Sequence, residues 1–141
     1  MKFQVVRSLL TKSKKLDLNQ ASENALKARS EDISELNRDQ LKIGMKTDGS
    51  WLPPYSAYSV TKFGKPPGKI KLFDTGAFYE GITPEFAKTN FALTGKDQKT
   101  EMLKADYGDD ILGLSQFSKI ELAQDSLGQI QFELRKQLGI S

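Results

Sequence analysis

The chain contains neither cysteine nor histidine. Without cysteine there is no disulfide and no thiolate for a metal ion or a substrate. Without histidine there is no imidazole ligand, no acid–base group that titrates near neutral pH, and no Ser–His or Cys–His nucleophile pair. Any catalysis would have to come from Asp, Glu, Lys, Tyr or Ser alone. The sequence therefore predicts no catalytic residues and a role other than that of an enzyme.

Long apolar segments are also missing. No run of about 18 apolar residues occurs, so a membrane is not among the expected partners. The first ten residues include Gln4 and Arg7 and lack a small-residue cleavage site, which argues against a signal peptide. We therefore expect synthesis in the cytosol.

Motifs for cofactors and metal ions are absent as well. The glycines match neither the phosphate-binding loop nor the dinucleotide fingerprint. The densest group of acids, Asp106, Asp109 and Asp110, lies within five residues, whereas a two-metal site needs carboxylates from separate elements. We interpret these acids as helix-end capping and solvated groups, and we predict no cofactor-binding or metal-binding residues.

Charge is distributed unevenly along the chain. Residues 1–71 contain 14 Lys and Arg against 7 Asp and Glu, a net charge of +7, and residues 72–141 contain 7 against 11, a net charge of −4, which together give the overall +3. This asymmetry fits a nucleic-acid surface, or two complementary faces of a self-assembling ring. A mixed, solvated surface is the alternative.

We expect one domain over residues 1–141, of the α+β class, because 141 residues suffice for a single core. Its centre is the segment 69–82. Ile70 and Leu72 alternate with lysines, as in a half-buried strand, and a turn is predicted at Asp74 to Gly76. Phe78 and Tyr79 then return to the core. Residues 82–95 are predicted as the return limb, giving a small antiparallel sheet over about 70–95.

Two main helices are predicted to pack on this sheet. The first covers 19–43, with Asn19 or Ser22 as its N-cap, an apolar stripe interrupted by polar residues, and Gly44 as its end. The second covers 116–138, with a capping box at Ser118 and Glu121. Its apolar residues recur every three or four positions, which predicts a face buried in the core. They are Ile120, Ala123, Leu127, Ile130, Leu134 and Leu138. A shorter helix is expected at 98–107.

Two further segments carry functional expectations. Residues 1–18 form a basic N-terminal arm. Residues 46–69 contain two Pro-Pro pairs, several aromatics and several lysines, which indicates a long connection that serves as an assembly loop. Lysines of these two segments, and one that follows them in the segment 69–82, are expected to contact phosphate groups or acidic partners. These are Lys12, Lys14, Lys15, Lys62, Lys65, Lys69 and Lys71.

Five short motifs resemble a known family. They are Leu36-Asn-Arg-Asp-Gln-Leu41, Gly44 followed by Asp48-Gly49, Pro54-Tyr-Ser56, Lys69-x-Lys-Leu-x-Asp-Thr-Gly-x-Phe-Tyr79 and Lys104-x-x-Tyr-Gly-Asp-Asp-Ile-Leu-Gly-Leu114. As a set they resemble small virion-morphogenesis proteins of tailed phages and prophages of Bacteroides-type hosts. Leu72-x-x-Thr-Gly76 is similar to an element of tail-completion and minor tail proteins. The aromatic and Arg-Pro features that this broader class often has near the C-terminus are absent here.

The resemblance implies a structural virion protein without enzymatic activity. Its subunits would form a homo-oligomeric ring at the head–tail connector or the tail. The implied partners are further copies of the chain and other virion proteins (portal, adaptor, tail tube), with non-specific contact to packaged DNA as an additional expectation. The implied location is the virion, assembled in the host cytoplasm. The oligomer interface is expected to include Trp51, Tyr55, Tyr58, Phe78 and Tyr79.

A second hypothesis comes from the charge pattern rather than from the resemblance. The basic segments also fit a small accessory protein that binds nucleic acid. That hypothesis predicts an affinity for DNA that falls steeply as the salt concentration rises.

Overall fold

The computed structural model describes residues 16–65, 68, 70–87 and 90–140. Within them the chain is mixed helix and strand, which confirms the predicted α+β class. The elements, in order, are α1 (Leu18–Ala28), α2 (Ser30–Lys42), α3 (Ala57–Phe63), α4 (Ala77–Glu80), β1 (Ile82–Phe86), β2 (Phe91–Gly95), α5 (Thr100–Tyr107), a 3₁₀ turn (Asp109–Ile111) and α6 (Gln116–Leu138).

The first predicted helix is two helices. Arg29 leaves helical geometry, with φ −109° and ψ 25°, and the Ser30 hydroxyl donates to the Lys27 carbonyl at 2.7 Å, so the axis changes direction there. The N-cap is Asp17, whose carboxylate accepts from the Gln20 N–H at 2.9 Å, rather than Asn19 or Ser22. The break allows α1 to pack on α6 while α2 packs on β1.

The sheet is a single hairpin. β1 and β2 pair antiparallel, with Ile82 opposite Gly95 and Phe86 opposite Phe91. The strand predicted from about residue 70 is wrong. Ile70 and Leu72 are buried as predicted, but Leu72 has φ 56°, a left-handed conformation that a continuing strand cannot contain. The alternation therefore reflects the burial of the Ile70 and Leu72 side chains in an irregular segment.

The turn predicted after this segment is confirmed. Gly76 has φ 91° and precedes the short helix α4, which places Phe78 and Tyr79 in the core. Their neighbours there come from α2, the hairpin and the segment that precedes α6. The fully buried large side chains include Ile33, Leu41, Leu52, Ile82 and Ile111.

Two buried amides hold α2 to the segment before α6. The Asn37 amide donates to the Ile111 carbonyl at 3.1 Å and accepts from the Gly113 N–H at 3.2 Å. The Gln40 amide donates to the Gly113 carbonyl at 2.9 Å and accepts from the Ser115 N–H at 2.6 Å. Asn37 and Gln40 are therefore intramolecular connections in which each side-chain amide both donates and accepts a hydrogen bond.

The connection 46–69 is not a continuous loop. Residues 57–63 form α3, which begins at Ser56, whose hydroxyl accepts from the Ser59 N–H at 3.1 Å, and ends at Gly64 in the left-handed conformation. Pro53 and Pro54 lie outside regular helix, as predicted, and residues 66, 67 and 69 lie outside the described residues. The helix fits between the two proline pairs because its seven residues contain no proline or glycine and its capping serine precedes it.

The shorter helix is present at Thr100–Tyr107 and ends at Gly108, close to its predicted bounds. Leu103 and Tyr107 contact the core, whereas Met102 is exposed rather than inward-facing. The Lys99 N–H donates to the Asp97 carboxylate at 3.1 Å, so Asp97 satisfies a donor at the start of this helix.

Candidate interaction surface

The long C-terminal helix α6 has the predicted bounds but not the predicted orientation. Its buried residues are Ser118, Leu122, Ser126 and Glu133. At about 100° per residue, the centre of this buried face lies about 120° around the helix from the centre of the apolar stripe. Ile120 is 50% exposed and Leu127 is 57% exposed. The prediction that the stripe is core is therefore wrong.

The reason lies in the helix that α6 packs against. α1 presents Ala21 and Ala25, both fully buried, and the two helices make close contact. Small residues allow helix backbones to approach closely, so serines on α6 fit this contact better than leucines do. Hydrogen bonds add to it, because the Glu133 carboxylate accepts from Asn24 at 3.3 Å and from Gln129 at 3.2 Å.

The N-cap of α6 also differs from the predicted one. The Ser115 hydroxyl accepts from the Ser118 N–H at 3.2 Å, so Ser115 is the N-cap and the predicted capping box at Ser118 and Glu121 is wrong. Ser118 is itself buried. Gly139, with φ 72°, ends the helix as predicted.

One side of the stripe borders an open apolar groove of about 700 Å³. α6 forms one wall, α1 and β2 form the others, and the segment before α6 forms the floor. Its lining residues are Ser22, Leu26, Thr47, Asn90, Phe91, Ala92, Leu93, Leu112, Gly113, Leu114, Lys119, Leu122, Ala123, Ser126, Leu127 and Ile130. We call this feature the α6 groove.

Two hydroxyls in the wall of the α6 groove have no hydrogen-bond partner among the described residues. They belong to Thr47 and Ser126, and both oxygen atoms are buried. A buried hydroxyl without a partner costs about 1–3 kcal/mol. Because both oxygen atoms are buried, they are a cost of the internal packing, whereas the uncovered apolar surface of the groove is the feature that contact with another molecule would remove.

The five residues predicted for an oligomer interface are divided between surface and core. Trp51 and Tyr58 are exposed, and Tyr55 is half-buried against the core. Phe78 and Tyr79 are core residues, 5% and 6% exposed, so a neighbouring subunit cannot reach them in this fold. The prediction that Phe78 and Tyr79 belong to an oligomer interface is therefore contradicted by their burial.

Tyr79 has a structural role in the core. Its hydroxyl donates to the Lys71 carbonyl, and its ring meets the Phe73 ring edge-to-face with centroids 5.2 Å apart. Burial raises the pKa of the Tyr79 phenol, with a smaller contribution from Tyr55. The group therefore stays protonated and anchors the irregular segment 70–76.

Three of the predicted basic contacts, Lys62, Lys65 and Lys71, lie in the described part of the chain. Lys62 lies over the Tyr58 ring at 5.3 Å, and Lys65 lies over the Tyr55 ring at 5.8 Å. Lys71 is exposed. The other predicted contacts, Lys12, Lys14, Lys15 and Lys69, lie outside the described residues.

Two of the three acids of the segment 106–110 pair with nearby lysines. Asp110 contacts Lys46 at 3.3 Å, and Asp109 contacts Lys104 at 3.8 Å. Among the described residues no group of three or more acids is arranged to hold a metal ion. No described helix combines the length and the apolar character needed to cross a membrane.

Sequence reasoning did not find the α6 groove. The spacing of Ile120, Ala123, Leu127 and Ile130 predicts an apolar stripe but does not show whether this chain or another molecule covers it. A signal for the other orientation is present in Ser118, Ser126 and Gln129, which mark a second face suited to close packing against the alanines of α1.

Comparisons with known proteins add no relative. The chain matches no protein-family model, no curated protein and no solved structure.

Proposed function

We propose that the chain is a non-enzymatic structural protein of a phage virion, a subunit of a neck or tail ring that acts as a head–tail connector or tail-completion protein. Its partners are further copies of itself and adjoining virion proteins such as the portal, an adaptor or the tail tube. Assembly takes place in the host cytoplasm. The motif resemblance supports the virion assignment, and the exposed apolar stripe of α6 supports the assembly role.

The stripe matters because its exposure is costly for an isolated subunit. Burying a Leu or Ile side chain completely contributes about 1.5–3 kcal/mol. Ile120 and Leu127 are about half exposed, so covering both contributes about 1.5–3 kcal/mol in each copy. Contiguous apolar patches of this kind mark interaction surfaces in soluble proteins.

The test is the mass of the full chain in solution, measured by light scattering over a range of concentrations, with electron microscopy to detect rings. Leu127→Gln should lower the mass by weakening association at least tenfold. The matched control is Leu18→Gln, because Leu18 is equally exposed, at 59%, and does not line the α6 groove. The control should retain the mass of the unaltered chain.

A strict monomer at all concentrations that also fails to bind portal, adaptor or tail-tube proteins would contradict the proposal. If Leu127→Gln and Leu18→Gln lower the mass equally, the apolar stripe is not the surface through which the chain assembles.

A second candidate function is the binding of nucleic acid. The observation in its favour is that Lys62 and Lys65 lie over tyrosine rings on and beside α3, where Tyr58 and Phe63 are exposed. Cations beside exposed aromatic rings suit phosphate contact and base stacking on a single strand. Binding of a labelled oligonucleotide should then weaken as salt rises and after Tyr58→Ala. No binding at low salt would exclude this function.

A further inference from the structure

The hairpin has two outer edges, and the described residues close only one of them. On the β1 side, the Arg38 guanidinium donates to the Tyr79 carbonyl at 2.8 Å and to the Ile82 carbonyl at 3.4 Å. Pro84 has no N–H to offer, and α2 packs against this strand. These features prevent another strand from pairing with β1.

The β2 edge is less protected in the described part of the chain, where the Asn90 side-chain oxygen accepts from the outward-facing Phe91 N–H at 2.8 Å. In the described part of the chain, β1 is the only strand that neighbours β2. The Lys96 N–H donates to the Gly81 carbonyl and the Ala87 N–H to the Asn90 carbonyl. By the alternation of an antiparallel ladder, the N–H and C=O of Leu93 therefore point away from β1. They are available to a further strand.

The sequence of β2 does not discourage such pairing either. Exposed edge strands are normally protected by lysine, proline or a bulge. β2 reads Phe-Ala-Leu-Thr-Gly, with no charged residue and no proline. Apart from the Asn90 contact to Phe91, it is thus an edge that leaves the Leu93 main-chain groups open and lacks the usual barriers to association.

This open edge borders the α6 groove. Phe91, Ala92 and Leu93 are consecutive and all line the groove. Successive side chains of a strand point to opposite faces, so three consecutive residues line one groove only where the edge of the strand forms its wall. A partner that pairs with β2 therefore also covers Leu127 and Ile130 across the groove.

We propose that the occupant is a second copy of this chain, with β2 paired antiparallel to β2 of the partner around a twofold axis. The two hairpins form one four-stranded sheet. The two α6 grooves then adjoin across the axis, so that each copy covers the apolar stripe of the other. This inference rests on the proposed self-assembly and names the contact through which two subunits join.

Charge favours a copy of the same chain as partner. Of the 16 described residues that line the α6 groove, Lys119 alone is charged, and β2 is neutral. Two such surfaces meet without repulsion between like charges, which an isologous contact requires because each residue can lie near its own copy. A foreign acidic or basic peptide would find no complementary charge there.

The size of the surface also suits a dimer. A stable interface involves about 20–30 residues and about 800 Å² on each side. The 16 residues of the groove, together with the exposed Phe117 and Ile120 beside them on α6, approach that size. Because the contact is isologous, it joins subunits in pairs, and a ring then needs a second surface elsewhere on the molecule.

The experiment uses the absence of cysteine from the chain. Ala92→Cys places one thiol on the exposed side of β2, and Ala105→Cys places one at an exposed position of α5 as a matched control. A short bismaleimide should join Ala92→Cys chains into covalent dimers at least tenfold faster than Ala105→Cys chains. Excess unlabelled, unaltered chain should slow that reaction, because it competes for the same contact.

Two charge variants test the same contact without a cross-linker. Ala92→Lys puts like charges across the twofold axis, and Leu127→Lys does so between the helices. Each should raise the dissociation constant of the dimer at least tenfold, measured by analytical ultracentrifugation. Both positions are exposed, so circular dichroism should show folded chains.

Three results would overturn the inference. If the unaltered chain assembles while Ala92→Lys has no effect and Ala92→Cys reacts no faster than the control, self-assembly stands and the contact is wrong. If Leu127→Lys alone abolishes the dimer, the helices meet without strand pairing. If the unaltered chain is monomeric at every concentration, both the contact and self-assembly are refuted.

Discussion

Ser126 and Leu127 are neighbours on α6 whose environments are the reverse of those their polarity predicts. The serine is 2% exposed and the leucine is 57% exposed. Ser126 lies on the face that packs against α1, where Ala21 and Ala25 are also fully buried. The chain thus uses a small, polar helix contact internally and leaves much of the apolar stripe exposed.

This arrangement predicts an asymmetry between two leucines of α6. Leu122→Ala removes a core side chain and should lower the free energy of unfolding by about 2–4 kcal/mol. Leu127→Ala should lower it by less than about 1 kcal/mol in the monomer, because half of the side chain already contacts water. Urea denaturation at low protein concentration measures both. Equal losses would mean that the stripe is core after all.

The same helix shows how far the sequence can predict this fold. Its bounds follow from local features, since Gly139 ends it and a serine near its start caps it, and local features can be found without a tertiary structure. Its orientation depends on the alanines of α1, which are about 100 residues away. Periodicity gives the direction of an apolar stripe but not which molecule covers it.

The segment before α4 shows a second reason for error. Alternation of Ile70 and Leu72 predicted a strand, and both side chains are buried. Leu72 is left-handed, however, and the Ile70 N–H donates to the Pro53 carbonyl at 2.9 Å. A hydrogen bond to a distant proline therefore helps to set the backbone conformation here, and no sequence pattern within the segment predicts that hydrogen bond. The candidate groove was missed for the same reason, because its walls come from three separate elements.

The amide of Asn37 should be essential for the stability of the fold. Asn37→Ala leaves the Ile111 carbonyl and the Gly113 N–H without their buried partner. We expect a loss of about 2–4 kcal/mol in the free energy of unfolding. Asn19→Ala, at an exposed position of α1, is the control and should change it by less than about 0.5 kcal/mol. A loss below about 1 kcal/mol for Asn37→Ala would show that water replaces the amide.

Tyr79 predicts a loss of stability in alkaline solution. Burial raises the pKa of its phenol above the ordinary value near 10. A raised pKa means that the unfolded chain loses this proton first, so the stabilising contribution is complete below about pH 10 and decreases as the pH rises above it. Thermal melts between pH 8 and pH 11 should show this decrease.

The matched variants for this prediction are Tyr79→Phe and Tyr107→Phe. The first removes the titrating group and should flatten the alkaline decrease, while costing about 0.5–1.5 kcal/mol at neutral pH through the lost hydrogen bond to the Lys71 carbonyl. Burial raises the pKa of Tyr107 as well, but less strongly, so its removal should flatten the decrease less. An unchanged pH dependence in Tyr79→Phe would refute this assignment.

The last prediction concerns the segment 46–69 as an assembly element. Trp51 and Tyr58 present exposed rings, whereas Tyr55 packs partly on the core, with Lys65 over its face. Trp51→Ala and Tyr58→Ala should therefore leave the monomer folded, with a melting temperature within a few degrees of the unaltered chain. If these rings contact a neighbouring subunit, both variants should weaken the oligomer, because aromatic side chains contribute much of the energy of protein interfaces.

Tyr55→Ala separates this hypothesis from a purely internal role. Its ring touches the core, so its removal should lower monomer stability by about 1–3 kcal/mol whether or not an oligomer forms. Light scattering should be measured on Trp51→Ala, Tyr58→Ala and Tyr55→Ala at a temperature where all three are folded. The comparison distinguishes a role in assembly from a role in the core. If the two exposed variants retain the mass of the unaltered oligomer, assembly does not use this segment, and the α6 groove is left as the contact between subunits.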